Sequence, residues 1–321
     1  MWDIIVQIFP YAVAFTIPLL ITALGALYCE RSGIVNIGLD GLMIVGSFAA
    51  AITITKLQAT NPGSSSSIWI GLLVAMLAGA VFSLLHAFAS INLQANQVIS
   101  GTAINMMAGS LTIFLARNIT GSGNIRIPLG FMKQDVAIGS FNLAEIPVIG
   151  ALFFKNTYIT TWLVLAILIA CTFLLYKTTF GLRLRACGEH PHAAAAAGIN
   201  VSFMRYIGVM ISGAFAGLGG AIYLVTFSKE FNGTVSGFGF LALAALIFGQ
   251  WKPVGILAAT LFFGFASTIS NVSQVIPELA AIPPVLLKVF PYVVTLIALV
   301  IFSKSSQAPK AAGEPFDQAK R

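Results

Sequence analysis

Tyr158 to Tyr176 passes nineteen residues without one charged side chain, and apolar runs of similar length recur along most of the chain. In lipid every backbone N–H and C=O must be paired within its own segment, and about 20 helical residues cross the hydrocarbon core. A chain built from such runs is restricted to an all-α, polytopic membrane bundle. The charge count agrees. Only 8% of the 321 residues are Asp, Glu, Lys or Arg, against roughly a quarter in a soluble domain, too few to clothe a water-facing surface.

About nine spans are expected, over Phe9 to Cys29, Ile37 to Thr55, Ile68 to Ser90, Val98 to Ala116, Tyr158 to Tyr176, Phe203 to Thr226, Gly237 to Gly249, Val254 to Val272 and Val285 to Phe302. The seventh is short, and the Gly249 to Pro253 turn either closes a re-entrant hairpin or joins two full spans. Pro18 and Pro291 should kink their helices. The amino end has no basic region of a secretory signal, so no cleavage is expected.

The net charge of +7 raises a nucleic-acid partner, but the cations sit in loops beside apolar runs and form no basic stripe. They read as topology signals. Lys177, Arg183, Arg185 and Arg205, with Lys304, Lys310, Lys320 and Arg321, are expected in the cytoplasm. That places the amino terminus outside, Glu30 and Arg31 inside, and a loop over about 118–157 outside, although this loop carries Arg126, Lys133 and Lys155. Residues 1–304 form the membrane domain with a cytoplasmic segment over about 178–202, and 305–321, polar with Pro309 and Pro315, is expected to be a disordered tail. Trp69, Trp162 and Trp251 fit lipid interfaces, and Lys288 should snorkel.

The stretch CERSGIVNIGLDGLMIVGSFAA, Cys29 to Ala50, breaks the apolar pattern with Glu30, Arg31, Asn36 and Asp40. A charge at a helix centre is costly in lipid. Asp40 therefore either caps the first turn of the second span, or joins Asn36 on a discontinuous helix lining a polar path. A second interruption, Val235 to Phe240, opens the seventh span, which runs opposite to the second, the trace an inverted repeat leaves. Gln97, Gly101 and Asn105 share one face of span four beside Ser100 and Thr102, to bind neighbouring helices or face the path. His86 has no carboxylate beside it in sequence and reads as packed or interfacial.

Span six carries Gly208, Ser212, Ala216 and Gly220 at every fourth residue and Gly213, Gly217 and Ala221 on an adjacent stripe, so neighbouring backbones can approach from two sides. The cytoplasmic excursion, Lys177 to Tyr206, contains Ala193 to Ala197, a strong helix former stopped by Gly198, and predicts a short helix beneath the membrane. Metal is not expected: Pro191 between His190 and His192 makes a loop, no cysteine or carboxylate cluster completes a ligand set, and no CxxC spacing occurs. No Ser/His/Asp or Cys/His constellation points to an enzyme.

GLRLRACGEHPHAAAAAGIN, followed by ISGAFAGLGGAIYL, resembles the coupling region of permease subunits of ATP-binding-cassette importers, in the family shared by branched-chain amino acid, simple sugar and nucleoside systems. ERSGIVNIGLDGLMIVGSFAA, NQVISGTAINMMAGS and GFGFLALAALIFGQWKPVGILAATLFFG most resemble the nucleoside branch, and the likeness covers most of the chain. The resemblance implies a type II importer permease of the bacterial inner membrane. It implies a second related permease, two copies of an ATPase carrying ATP and Mg, and an external substrate-binding protein or lipoprotein, with no cofactor in this chain. The coupling role falls on Gly188 through Gly198, with Arg185, Gly188, Glu189, Pro191, Ala193, Ala196 and Gly198 as its residues. The absence of a GxxxxGK[ST] phosphate loop is consistent with that division of labour.

The translocation path is expected to draw on Asn36, Asp40, Gln97, Ser100, Asn105 and Phe240; Phe238 and Phe240 either stack on a base or simply pack. A branched-chain amino acid or sugar substrate is the alternative within the family. A stand-alone secondary transporter or channel is the alternative outside it, with Asp40 and His86 as its only embedded ionisable candidates.

Overall fold

A computed structural model describes residues 2–138, 141–272 and 307–317, with positions 283, 285–287, 289, 290, 293 and 297 between them. The helices are α1 (Trp2–Arg31), α2 (Leu39–Thr60), α3 (Ser66–Ala87, extended by a π turn Phe88–Asn92), α4 (Gln97–Thr120), α5 (Ile159–Lys177), α6 (Thr179–Glu189), α7 (Pro191–Ala196), α8 (Val201–Tyr223, with a π turn Leu224–Ser228), α9 (Phe238–Phe248) and α10 (Pro253–Val272). Four two-residue strands form two small antiparallel pairs: β1 (Ile125–Arg126) with β4 (Glu230–Phe231), and β2 (Ala137–Ile138) with β3 (Phe141–Asn142).

Among the described residues seven helices are long and apolar enough to span a membrane, not nine. The expected seventh span is α9, an 11-residue helix about 16 Å long at 1.5 Å per residue, roughly half a hydrocarbon core. The expected ninth, with Lys288 and Pro291, lies mainly outside the described residues. The other spans fall where the apolar runs place them, with α4 reaching Thr120 and shortening the loop behind it.

The bundle closes around α8. Tyr28 and Ser32 lie against Gly208, Gly25 against Ser212, and Pro18 and Thr22 against Gly219, so α1 and α8 run antiparallel with the start of α8 beside the end of α1. The second stripe of small residues faces α3, where Gly213 packs on Gly79 and Ser83, and Gly217 on Ala75. A side chain at Gly213 or Gly217 would collide with the opposing backbone. These contacts bring helix axes close enough for backbone-to-backbone van der Waals packing, the main attraction available where lipid is as apolar as the helices. Ala216, in the first stripe, is fully buried.

Two connections do not simply turn at a bundle end. The chain from α1 to α2 runs back inside, so that Asn36 reaches Ser212 (3.0 Å), roughly 16 Å along α8 from Val201. The chain from α8 to α9 does the same from the opposite end, where β4 pairs with β1, and it delivers Phe238 onto Phe15 and Tyr223. Helix, inward-running break and second helix thus occur twice in opposite directions. α9 then turns tightly through 249–252 into α10, whose Gly255 packs on Gly249.

The end of the bundle that gathers Arg31, Arg183, Arg185, Arg205 and Lys252 is called here the basic end. At it the tail departs from expectation. Residues 307–317 are not disordered but lie against the bundle: the Ala311 N–H donates to Gly188 O (2.9 Å) and the Gly313 N–H to Gly33 O (3.1 Å), and Ala311 is buried. Low hydrophobicity suggested disorder, but open backbone acceptors at Gly33 and Gly188 supply partners that composition does not register. Trp251 also departs from its expected lipid-facing place; it is buried, with its indole N–H on Glu30 Oε2 at 2.5 Å.

Replacing Gly217 with leucine should cost about 3 kcal/mol or more through overpacking and abolish monodisperse protein in detergent. Gly109→Ala, where the nearest atom to a new Cβ is 3.9 Å away, should purify normally. A Gly217→Leu protein with unchanged thermal stability would contradict the close packing.

Candidate functional site

The inward break between α1 and α2 exposes backbone groups inside an apolar bundle, where each unpaired one costs several kcal/mol. Side chains from α3 and α4, and Asn36 of the break itself, answer them. Val35 N–H donates to Gln97 Oε1 (2.6 Å), and the Val35 carbonyl accepts from His86 Nε2 (3.1 Å). A carbonyl can only accept, so Nε2 carries the proton and Nδ1 is left to accept from the Ser100 hydroxyl at 2.9 Å. Asn36 Oδ1 takes the Gly38 N–H (3.0 Å) while its amide donates to Ser212 Oγ. Asn105 closes the set, donating to the Ile37 carbonyl (3.0 Å) and accepting the Gly41 N–H (2.7 Å).

Asp40 lies in the first turn of α2, as the first sequence alternative has it, but its carboxylate bonds a different helix. It makes no cap to its own helix and is 9% exposed. Its Oδ1 accepts the Gly239 N–H (2.9 Å), at the start of α9. Asp40 also occupies the first turn of α2, so one carboxylate stands at two helix N-termini, each carrying the positive end of a helix dipole. The two interruptions that are far apart in sequence meet here, and Gly239 has no room for a side chain against the Asp40 backbone.

That junction fixes Phe238, whose ring lies 4.9 Å from Phe15 and 4.8 Å from Tyr223. Beside it opens a cavity of about 540 Å³, walled by the aromatic rings of Phe15, Tyr223, Phe227 and Phe238 and by the polar groups of Ser236, Ser267 and Asn271. No charged side chain lines it among the described residues. Tyr223 and Ser236 hydrogen-bond each other at 3.0 Å. The sequence reading placed Phe240 on the path; Phe240 is 50% exposed and absent from the cavity wall, whereas Phe238 is in it. In a helix these two residues lie about 200° apart, so only one can face inward. Ser236 falls within the second interruption, whereas Phe15, Tyr223, Phe227, Ser267 and Asn271 gave no sequence signal.

At the basic end, Glu30 and Arg31 form a node. Glu30 holds the Trp251 indole, and Arg31 Nη2 donates to the Trp251 carbonyl (2.9 Å), which ties the α9–α10 turn to α1. Arg31 Nη1 lies 3.7 Å from Glu189 Oε1, and Gly188 packs on the Arg31 carbonyl with no space for a Cβ. The segment beyond α5 is more regular than expected, because residues 179–189 are themselves helical. α7 begins at Pro191, whose fixed φ and missing N–H suit a first helical position. His190 Nδ1 caps it by accepting the Ala193 N–H (3.1 Å), and Gly198, at φ +80°, ends it in the left-handed conformation that favours glycine. The residues singled out by sequence fall on two sides. Gly188 and Pro191 are buried toward the bundle; Glu189, Ala193, Ala196 and Gly198 are exposed, and Arg185 is half-buried with its guanidinium over Tyr176.

A family model described as the permease component of the branched-chain amino acid transport system matches residues 8–299. The chain belongs to this family. It is therefore a transport subunit and a multi-pass membrane protein. The chain is 46% identical to the guanosine ABC transporter permease protein NupQ of Bacillus subtilis, over 98% of this chain and 97% of that one. It is 40% identical to the nucleoside ABC transporter permease protein NupC of Lactococcus lactis, over 95% of each. A second guanosine ABC transporter permease protein of Bacillus subtilis, NupP, is 28% identical over 77% of this chain and 69% of its own length.

Asp40→Ala should strip the buried Gly239 N–H of its acceptor and lower stability by ~1–2 kcal/mol, whereas Asp40→Asn, which keeps an Oδ1 acceptor, should retain most of it. Thermal unfolding of the purified complex reads this directly; equal melting of the Ala variant and wild type would contradict the junction.

Proposed function

We propose that this chain is one permease subunit of an ATP-driven nucleoside importer. The observation that carries the reading is full-length identity of 46% and 40% to permeases of guanosine and nucleoside transporters. The cavity is compatible with it. A nucleoside is neutral, with a flat base and a hydroxylated sugar, and the uncharged wall of aromatic rings and hydroxyl or amide groups offers both stacking surfaces and hydrogen-bonding groups. Asn36, Gln97, Ser100 and Asn105 then act by holding the break in shape, and Asp40 by joining α2 to α9, so that the path is formed around them.

The partner in the membrane is a second, related permease. Two guanosine ABC transporter permease proteins in one bacterium, one much more similar to this chain than the other, support a heterodimer. The basic end faces the cytoplasm, by the bias of Lys and Arg, with the amino terminus outside. Separate ATPase subunits, holding ATP and Mg, dock beneath α6 and α7. The exposed alanine face, Ala193 and Ala196, enters their cleft beside Glu189, while Gly188 and Pro191 seat the segment against the bundle. An external binding protein or lipoprotein delivers the solute.

Cells lacking the native system and expressing the complete importer should take up labelled guanosine, with excess unlabelled nucleosides competing and branched-chain amino acids or glucose not competing. Competition by amino acids or sugar alone would overturn the substrate assignment. Glu189→Lys and Gly188→Pro should leave the complex partly assembled but reduce nucleoside moved per ATP hydrolysed; wild-type uptake in both would remove the coupling role.

A further inference from the structure

Beyond the cavity and the inward break, the tail segment 307–317 is bonded to the basic end. It touches three parts of the basic end at once. Ala311 N–H is bonded to the Gly188 carbonyl near the end of α6, at the hinge into α7; Gly313 N–H is bonded to the Gly33 carbonyl, three residues before Asn36. Arg205, at the base of α8, donates from Nη1 to the Glu314 carbonyl (3.0 Å), and its guanidinium stands 5.8 Å from the Phe316 ring centre. Phe316 also lies 5.2 Å from the His192 ring on α7.

Two features show that this is a built contact. Arg205 is only 1% exposed, and its Nε and Nη2 atoms make no hydrogen bond, so the tail's carbonyl and aromatic face are what a buried guanidinium meets on that side. Gly313, at φ +83°, takes the left-handed conformation that turns the chain from Gly33 toward Arg205.

We infer that residues 307–317 are a positioning strap in transport, joining the α6–α7 segment to the inward break so that displacement of the segment pulls on the start of α2. The inference rests on the reading that α7 is where the ATPase docks. The direct route from α6 to the break runs through Arg31 and its contacts with Gly188 and Glu189. The strap adds a second attachment, through the carbonyls of Gly188 and Gly33, and two attachments constrain rotation of the segment where one permits it to pivot. Through Gly33 the strap reaches the Val35–Asn36–Ile37 run held by His86, Gln97, Ser212 and Asn105, and beyond it Asp40 and α9.

The test uses the complete importer in proteoliposomes and reads nucleoside moved per ATP hydrolysed, a ratio that loss of folded complex alone would not change. Ala311→Pro removes the N–H that meets Gly188, and deletion of 307–321 removes the strap. Both should assemble with the ATPase and hydrolyse ATP while the ratio falls about tenfold, within the 5–150-fold range of site couplings. Lys310→Ala should behave as wild type. An unchanged ratio in both strap variants would overturn the inference, as would failure of the deletion to bind the ATPase, which would make the tail an assembly contact. Ala196→Glu, on the exposed face of α7, separates the two readings: normal coupling there removes the docking reading and the strap with it, while impaired coupling with normal strap variants removes the strap alone.

Discussion

Two helix N-termini pointing at one another inside an apolar bundle repel, since each presents unpaired N–H groups and the positive end of a dipole. Here α2 and α9 meet in that way, and a single carboxylate, Asp40, stands between them: it is in the first turn of one and bonded to the Gly239 N–H of the other. A buried carboxylate is costly alone, and two facing helix starts are costly alone; together they offset each other. Once the junction exists, both preceding breaks must run inward to reach it, α9 is held to half the length of a span, and Phe238 is set in the wall of the cavity.

The breaks impose a second demand, because backbone without helical partners survives within a membrane bundle only where protein groups replace them. Gln97 and Asn105 on α4, His86 on α3 and Ser212 on α8 each answer a group of the first break. These bonds have defined directions, so the break is a specific shape held by three helices. It is also connected at its outer edge to the basic end through Arg31 and Glu30, which bind the α9–α10 turn and the segment after α5. The basic end and the junction at Asp40 are therefore joined by a short chain of contacts.

Much of this was legible in sequence because lipid leaves so few choices. The long apolar runs located α1 to α5, α8 and α10, and the doubled small-residue stripe of span six placed α8 at the centre. The polar residues of the first break were also visible, as was the second interruption. What sequence could not supply was their pairing. Asp40 was weighed against its own helix and against water, because nothing local relates it to Gly239, 199 positions away. Gln97, Ser100 and Asn105 stood out as a polar face, but a face that satisfies a neighbour's backbone and one that lines a path have the same composition. The tail differs from expectation for a related reason: low apolar content suggests disorder, whereas residues 307–317 are held by polar bonds to Gly33, Gly188 and Arg205 that composition does not register. Phe238 and Phe240 were indistinguishable until the direction of α9 was known.

The central claim is that this subunit moves solute only when a separate motor works on its basic end. Uphill accumulation of nucleoside in liposomes measures that most directly, comparing the complete importer with and without ATP to the purified subunit alone. Accumulation should require the companions and hydrolysable ATP together. Concentrative uptake by the isolated subunit without nucleotide would contradict the account.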